Sequence, residues 1–392
     1  MSDLRLGVIG LGCRSTLADL AHQPGAGSAV VAVCDTDPDA LEQAPKRFGV
    51  DVRATTSLDD LLDEGVDAVF VLTPDDTHEP IAVRTLEAGV HTFLEKPMAI
   101  TTEGCDRLLR TARRTGARLY VGHNMRHMPV VRAMRDLILD GAIGAVKAVW
   151  CRHFVGNGGD YYFKDWHADR RRVNSLLLQK AAHDLDVIHW LAGGASRLVN
   201  ALGGLVVYGE ITDRRDRTGE RMIDWLSHDN WPPLSHTGLN PVVDVEDISQ
   251  LNARLDNGVF AAYQQCHFTP DYWRNYTVIG TEGRLENFGD GLGAEVKVWQ
   301  RRSEYRSDAD MIVGVGGSDD NHGGADPLLV AEFLEFVRHG GPTLTSPVAA
   351  REAVAAGCAA TESLRGGGVP VQIPPLPENL VQYFAEGQAS PA

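Results

Sequence analysis

Over the first 120 residues, short apolar runs alternate with stretches whose apolar positions recur every three or four residues. The apolar runs at 4–10, 29–35, 66–74, 91–97 and 118–123, and a short one at 51–55, predict strands. The segments 57–65, 77–89 and 101–116 have one apolar face and predict helices, the last opening at Thr101 or Thr102 and stopping at Gly116. Strands that alternate with helices imply βαβ units, a parallel sheet and, through the right-handed crossover rule, a doubly wound fold.

The pattern changes after residue 128. A helix over 128–141 leads into an extended stretch, a loop rich in Gly, Asp, Tyr and Trp at 156–172, and a strong helix over 175–194. From 243 to 302 several strands follow one another, with Asp256-Asn257-Gly258 and Thr281-Glu282-Gly283 as hairpin turns. Two further helices are expected at 326–341 and 347–368. The polar stretch 209–240 reads as an insertion or mobile loop. The expected organisation is a nucleotide-binding α/β domain at 1–124, a second α/β domain with a large, open, mainly antiparallel sheet at 125–375, and an irregular tail at 376–392.

A formal net charge of −16 argues against nucleic acid and anionic membranes as partners, and Arg170-Arg171-Arg172 is better read as a solvated loop. No run of apolar residues is long enough to span a bilayer, and the start MSDLRLGVIG lacks a basic-then-apolar signal layout, so a cytoplasmic protein is expected. The six cysteines form no C-x-x-C pair, which disfavours a zinc site or a disulfide framework; no metal is expected.

The chemistry-bearing motifs fall at strand ends. Gly10-Leu11-Gly12-Cys13-Arg14-Ser15 follows the first strand and opens a helix: Gly10 permits the tight turn and Gly12 lets backbone N–H groups approach a pyrophosphate, while Ser15 replaces the third glycine of the dinucleotide fingerprint. Asp35 ends the second strand, where an acid can hold both ribose hydroxyls, or can merely cap the next helix. With no Arg or Lys between Cys34 and Asp39 to meet a 2′-phosphate, NAD is favoured over NADP. Thr73-Pro74-Asp75-Asp76-Thr77-His78 closes the fourth strand, as a plain turn or as part of the same ligand-binding edge. Glu95-Lys96-Pro97 ends the fifth; proline cannot continue a central ladder, so Lys96 stands at the carboxyl edge of the sheet, in a surface ion pair or in a site.

Glu95-Lys96-Pro97, the N-terminal Gly-Leu-Gly loop and His183-x-x-Asp186 on a later helix together resemble the Gfo/Idh/MocA family of oxidoreductases, over nearly the whole chain. The resemblance implies a Rossmann domain, a second domain whose open sheet often builds a homodimer or homotetramer interface, and NAD(P)-dependent chemistry on sugars and polyols. It implies Lys96 as the group that hydrogen-bonds the reacting hydroxyl and His183 as proton acceptor. Glu95 would help to fix the site, and Gly10, Gly12, Cys13, Arg14, Ser15, Asp35, Thr73, Pro74, His78, Glu95 and Lys96 would surround the cofactor. The family's helix reads Asp-x-x-x-His-x-x-Asp; Gln179 replaces the first acid, and Lys180 with His183-Asp184 resembles a subgroup. Asn124, Arg126, Tyr162, Trp166, Lys180 and Asp184 are the expected substrate contacts, with Tyr161, Asp165, His167 and His322 as further candidates and Trp273, Arg274 and Tyr276 as sheet packing.

Three functions fit these features. One is dehydrogenation of a sugar or cyclic polyol. Another is glycoside cleavage through transient oxidation by bound NAD. The third, a dinucleotide-binding sensor, has no need of Lys96 and His183.

Overall fold

The computed structural model describes residues 2–318 and 322–388. The chain divides into two compact units. The first holds Met1–His123, Asp326–Arg351 and Leu376–Ala392, and the second Asn124–Ala325 and Glu352–Pro375. The last two segments of the first unit are therefore additions to the expected 1–124.

In the first unit, strands and helices alternate: β1 (Leu4–Ile9), α1 (Thr16–Ala21), β2 (Ser28–Cys34), α2 (Pro38–Phe48), β3 (Arg53–Thr55), α3 (Leu58–Asp63), β4 (Ala68–Val71), α4 (Asp75–Glu87), β5 (His91–Leu94), α5 (Thr102–Thr115) and β6 (Leu119–Val121). The sheet order is β3-β2-β1-β4-β5-β6 with every pair parallel, the doubly wound order in which ligands bind at the carboxyl ends. All of β4 is buried, as both faces of such a sheet require. Local signals act as read: the Thr101 side chain accepts from the N–H of Gly104 at 3.0 Å, and Gly116 closes α5 with a left-handed φ of 72°.

The second unit begins with α6 (Pro129–Leu139), β7 (Val146–Phe154) and the short helices α7 (Gly158–Tyr162), α8 (Arg170–Val173) and α9 (Leu176–Gln179). It continues with α10 (Ala181–Ala192) and strands β8 (Ser196–Gly204), β9 (Ile248–Leu255), β10 (Phe260–Cys266), β11 (Trp273–Gly280), β12 (Arg284–Phe288), β13 (Glu295–Trp299) and β14 (Met311–Gly314). Further along the chain follow α11 (Ala325–His339), α12 (Pro347–Arg365) and α13 (Glu378–Ala385), with α11 and α13 in the first unit, and β15 (Val371–Gln372) in the second. Its nine-stranded sheet, β14-β13-β12-β11-β7-β10-β9-β8-β15, is antiparallel except at β7–β10. The strict alternation of buried and exposed positions in β9 gives the sheet one covered and one open face. Val149, Val199, Leu251 and Val278 pack under Leu185, Ile188 and Leu191 of α10 on the covered side. Trp150, Leu202 and Phe260 lie exposed on the other.

Three expectations are corrected. The helix over 175–194 is broken at Lys180 into α9 and α10. The polar 209–240 stretch is no loose loop. Its Ile211 and Leu239, with the flanking Tyr208 and Val245, form a buried cluster with Tyr162, Phe163, Val173 and Leu176. The tail is partly helical, because Leu380 and Phe384 of α13 share a buried face. The Gln388 amide accepts from the Leu119 N–H at 2.8 Å and donates to its carbonyl at 2.7 Å, extending the edge of β6 by one side chain.

α11 completes the core of the first unit. Phe333 meets Phe70 and Phe93 edge-on, at ring centroids of 5.1 and 5.4 Å.

Candidate active site

The first unit gathers four strand ends at one sheet edge. Gly10 has φ +94°, and a Cβ there would stand 2.8 Å from the backbone of Leu72, so only glycine fits this turn. At Gly12 the space a Cβ would fill is open within 4 Å, as close approach of a phosphate to the backbone requires. The Asp35 carboxylate accepts from the N–H of Leu11 at 2.5 Å and from that of Asp37 at 2.9 Å, tying the glycine loop to the end of β2. Asp37, not Asp35, caps α2 by accepting from Asp39 N–H. These residues fit a dinucleotide: an open cradle at the glycine loop with an acid at the ribose position.

Two of the expected cofactor contacts are otherwise engaged. Ser15 packs toward α2, its Oγ and carbonyl both accepting from Arg47, at 2.9 and 2.6 Å. Arg14 turns back from the loop to donate to Glu95 and Asp326, at 2.6 and 2.8 Å. Cys13 is exposed. Pro74 opens α4, and the His78 ring lies with Nδ1 2.7 Å from the Pro97 carbonyl and Nε2 2.8 Å from that of Thr73. Glu95 accepts from the Lys96 N–H at 2.7 Å, and the Lys96–Pro97 bond is cis. Burial would raise the Glu95 carboxyl; Arg14 and Lys96 outweigh it and hold it below the usual range.

In the second unit the helix break places Lys180 just before α10. Its ammonium lies 5.8 Å from the centroid of Tyr162, and the His183 ring lies 6.2 Å from that of His322. Trp166 stacks on His167 at 3.7 Å, and the Arg172 guanidinium lies 5.6 Å from the centroid of the Trp166 ring. Asn124 is buried. Arg126, expected to orient substrate, holds both oxygens of Asp186 at 2.7 Å. That bidentate pair is enclosed.

Asp184 is engaged within the second unit as well. It is fully buried, and both its oxygens are taken. One accepts from His153 Nδ1 at 2.8 Å and the Tyr263 hydroxyl at 3.0 Å; the other accepts from the Tyr276 hydroxyl and lies 3.0 Å from Arg274 Nε. Asp184 is thus the anion of an internal network. Proton counting fixes the rest. His153 donates from Nδ1, leaving Nε2 to accept from Arg274 at 3.4 Å. The Tyr263 hydroxyl, 3.0 Å from Asp184, also lies 3.1 Å from Gln265 Oε1. Sequence reasoning missed this group, although His153, Gln265 and Arg274 sit on one register row across β10, β7 and β11. The signal was a polar residue at inward positions of three otherwise apolar strands.

Burial drives His153 down to about 3, assisted by Arg274, and His267 to about 3, while His189 falls to about 4. Burial alone would raise Asp184, but Arg274 and His153 hold it below the usual range. A histidine with a lowered native value contributes stability above its unfolded value of 6.5 and loses it as pH falls toward the native one. The urea midpoint is therefore expected to drop steadily between about pH 6.5 and 4. A midpoint constant over that range would refute the assignment of these rings as neutral.

The comparisons with known proteins bear on this geometry. Residues 4–123 match the model of an oxidoreductase family with an NAD-binding Rossmann fold, and residues 131–286 match the GFO/IDH/MocA C-terminal domain. The chain belongs to the Gfo/Idh/MocA family. Among relatives in this family, the inositol 2-dehydrogenase of Ralstonia nicotianae is 32% identical over 194 residues, 48% of this chain and 55% of that one. The 2,7-anhydro-N-acetylneuraminate hydratase of Mediterraneibacter gnavus is 32% identical over 220 residues, 53% of this chain and 57% of that one. The chain thus matches little more than half the length of these two relatives. The solved levoglucosan dehydrogenase, in complex with NADH and levoglucosan, has a TM-score of 0.76 at 20% identity, covering 95% of this chain and 100% of that one. Like other members, the protein is an NAD-binding oxidoreductase with a parallel Rossmann sheet and a second, mostly antiparallel sheet. Among the described residues no helix is long and apolar enough to cross a membrane.

Proposed function

We propose that the protein is an NAD-dependent dehydrogenase acting on a secondary hydroxyl of a sugar, sugar derivative or cyclic polyol. The observation that carries this reading is the turn at Lys96. It lies at the same sheet edge as the glycine loop and Asp35, and its main chain is held by Glu95 on one side and by the His78 contact to Pro97 on the other. NAD, when bound, supplies the hydride acceptor. Lys96 donates a hydrogen bond to the substrate hydroxyl oxygen and stabilises the negative charge that grows there as the proton departs. His183 takes that proton, a task suited to an imidazole, which titrates near neutral pH. The names of the inositol and levoglucosan dehydrogenases support the substrate class.

The test is a panel of inositols, sugars and anhydrosugars with NAD and with NADP, following absorbance of the reduced nicotinamide. NADH formed in proportion to product supports the reading. His183→Ala is expected to lower kcat by about 10²–10⁴, with NAD affinity kept; an unaltered kcat would remove His183 from the mechanism. A second reading, transient oxidation without net NADH, draws on the relative named as a hydratase and on Lys180 and Tyr162 as extra acid–base groups. Conversion of an anhydrosugar or glycoside without NADH accumulation would replace the first reading with this one.

The exposed apolar residues of the open sheet face, Trp150 (51% exposed) and Phe260 (61%) among them, favour assembly into a homodimer or homotetramer through that face. Phe260→Asp is expected to yield a smaller species by light scattering. An unchanged mass would place the interface elsewhere.

A further inference from the structure

Arg14 occupies a loop position from which a cation could meet a phosphate, yet its guanidinium is committed elsewhere. Nε donates to one oxygen of Glu95 at 2.6 Å, while Nη1 and Nη2 donate to the two oxygens of Asp326 at 2.8 and 3.3 Å. The other oxygen of Glu95 accepts from the N–H of Lys96, one residue on, at 2.7 Å. A continuous path therefore runs from the glycine loop through Arg14 and Glu95 to the main chain of Lys96. A second path reaches the far side of the same turn: the Pro97 carbonyl and the Thr73 carbonyl both face the His78 ring. The turn that carries Lys96 is bracketed by the two loops expected to meet the cofactor.

The charges in this path are tightly matched. Glu95 is buried, with 4% of its surface exposed, and a carboxylate so enclosed is costly unless a cation faces it. The charged groups that face Glu95 are Arg14, reaching from the glycine loop, and Lys96 beside it; Asp326 faces Arg14 from the start of α11. Removing Arg14 leaves the carboxylate with Lys96 as its remaining charged partner. The carboxylate then either binds a proton more readily or draws the Lys96 ammonium toward itself, and either change displaces Lys96.

We propose that Arg14 is a positioning residue: acting through Glu95, it couples occupation of the glycine loop by a pyrophosphate to the placement of Lys96. The proposal rests on the reading of Lys96 as the group that meets the substrate hydroxyl, and it assigns Arg14 a role in the chain that leads there rather than a contact with phosphate. A bound pyrophosphate rearranges or stiffens the loop, and Arg14 carries that change to the lysine turn. An arginine serving only to hold the fold would affect stability and nothing in this linkage.

ADP-ribose is the probe, because it carries the pyrophosphate but no nicotinamide ring to cover Lys96. The rate of reductive methylation of Lys96 is read by peptide mass spectrometry in the full-length protein, without and with saturating ADP-ribose, for the native chain, Arg14→Met and Arg14→Lys. In the native chain ADP-ribose is expected to change the rate at least threefold. In Arg14→Met the change is expected to vanish although ADP-ribose still binds by calorimetry, and Arg14→Lys is expected to restore most of it. If Arg14→Met does not fold, Arg14→Gln takes its place. An equal response in the native chain and the uncharged variant, or no response in the native chain, overturns the proposal. Turnover by Lys96→Met tests the underlying reading separately: if that variant is inactive while the linkage is absent, only the role of Arg14 falls, and if it is fully active the reading of Lys96 falls whatever the linkage.

Discussion

Lys96→Met is expected to lower kcat on the active substrate by about 10²–10³-fold, the cost of removing one preorganised donor to a developing oxyanion. NAD affinity, measured by fluorescence or calorimetry, is expected to change little. The distinction matters because Lys96 lies beside residues expected to touch the dinucleotide. If the lysine served the cofactor alone, the loss would appear as weaker NAD binding and disappear at saturating NAD. A kcat that remains low at saturation identifies a transition-state role. The expectation is specific to the amine: methionine keeps the length and apolar stem of lysine but has no donor. The Glu95–Arg14 pair is untouched by this change, so fold stability is expected to remain close to that of the native chain.

The second large effect falls on stability. Arg274→Met leaves the Asp184 carboxylate fully buried without its guanidinium partner, a change expected to cost about 3–5 kcal/mol in urea unfolding. Asp184→Asn removes the charge while keeping the shape, and in the double variant Asp184→Asn/Arg274→Met the combined loss is expected to be clearly smaller than the sum of the single losses. That non-additivity is the signature of a direct pair. Additive losses would show that Arg274 is held chiefly by Asp290, 3.4 Å away, and not by Asp184. His183 follows from the same arrangement: it directly precedes Asp184 in α10, so the network that anchors one residue also fixes the backbone of the other.

The parallel Rossmann sheet was legible because most of its strands, β3 excepted, are short apolar runs closed by a turn residue, and α5 carries its own stop signal at Gly116. The glycine loop, Asp35 and the Glu95-Lys96-Pro97 turn were visible for the same reason: their meaning is local, in a strand end and the residues just after it. What was not legible is long-range. The four partners of Asp184 come from β7, β10 and β11, and no local pattern pairs those strands. The pairing of Arg126 with Asp186, on a helix 60 residues later, was hidden for the same reason. The break at Lys180 was hidden too, since no Gly or Pro marks it. The 209–240 stretch was misread because Ile211 and Leu239 gain their burial in a cluster with Tyr162 and Phe163 and not from a face of their own.

The first unit is also a problem in timing. Its sheet is complete at His123, yet α11, whose Phe333 covers Phe70 and Phe93, belongs to the segment that starts at Asp326. At a synthesis rate of ~5–20 residues per second, the ribosome needs on the order of 10–40 s to make the intervening stretch of about 200 residues. During that interval the aromatic face of the nascent sheet has no cover of its own, and the edge at Leu119 waits longer still for Gln388. The chain therefore carries an obligatory period of exposed apolar surface at birth, and it is in that window, not in the finished protein, that a holding chaperone would find its binding face.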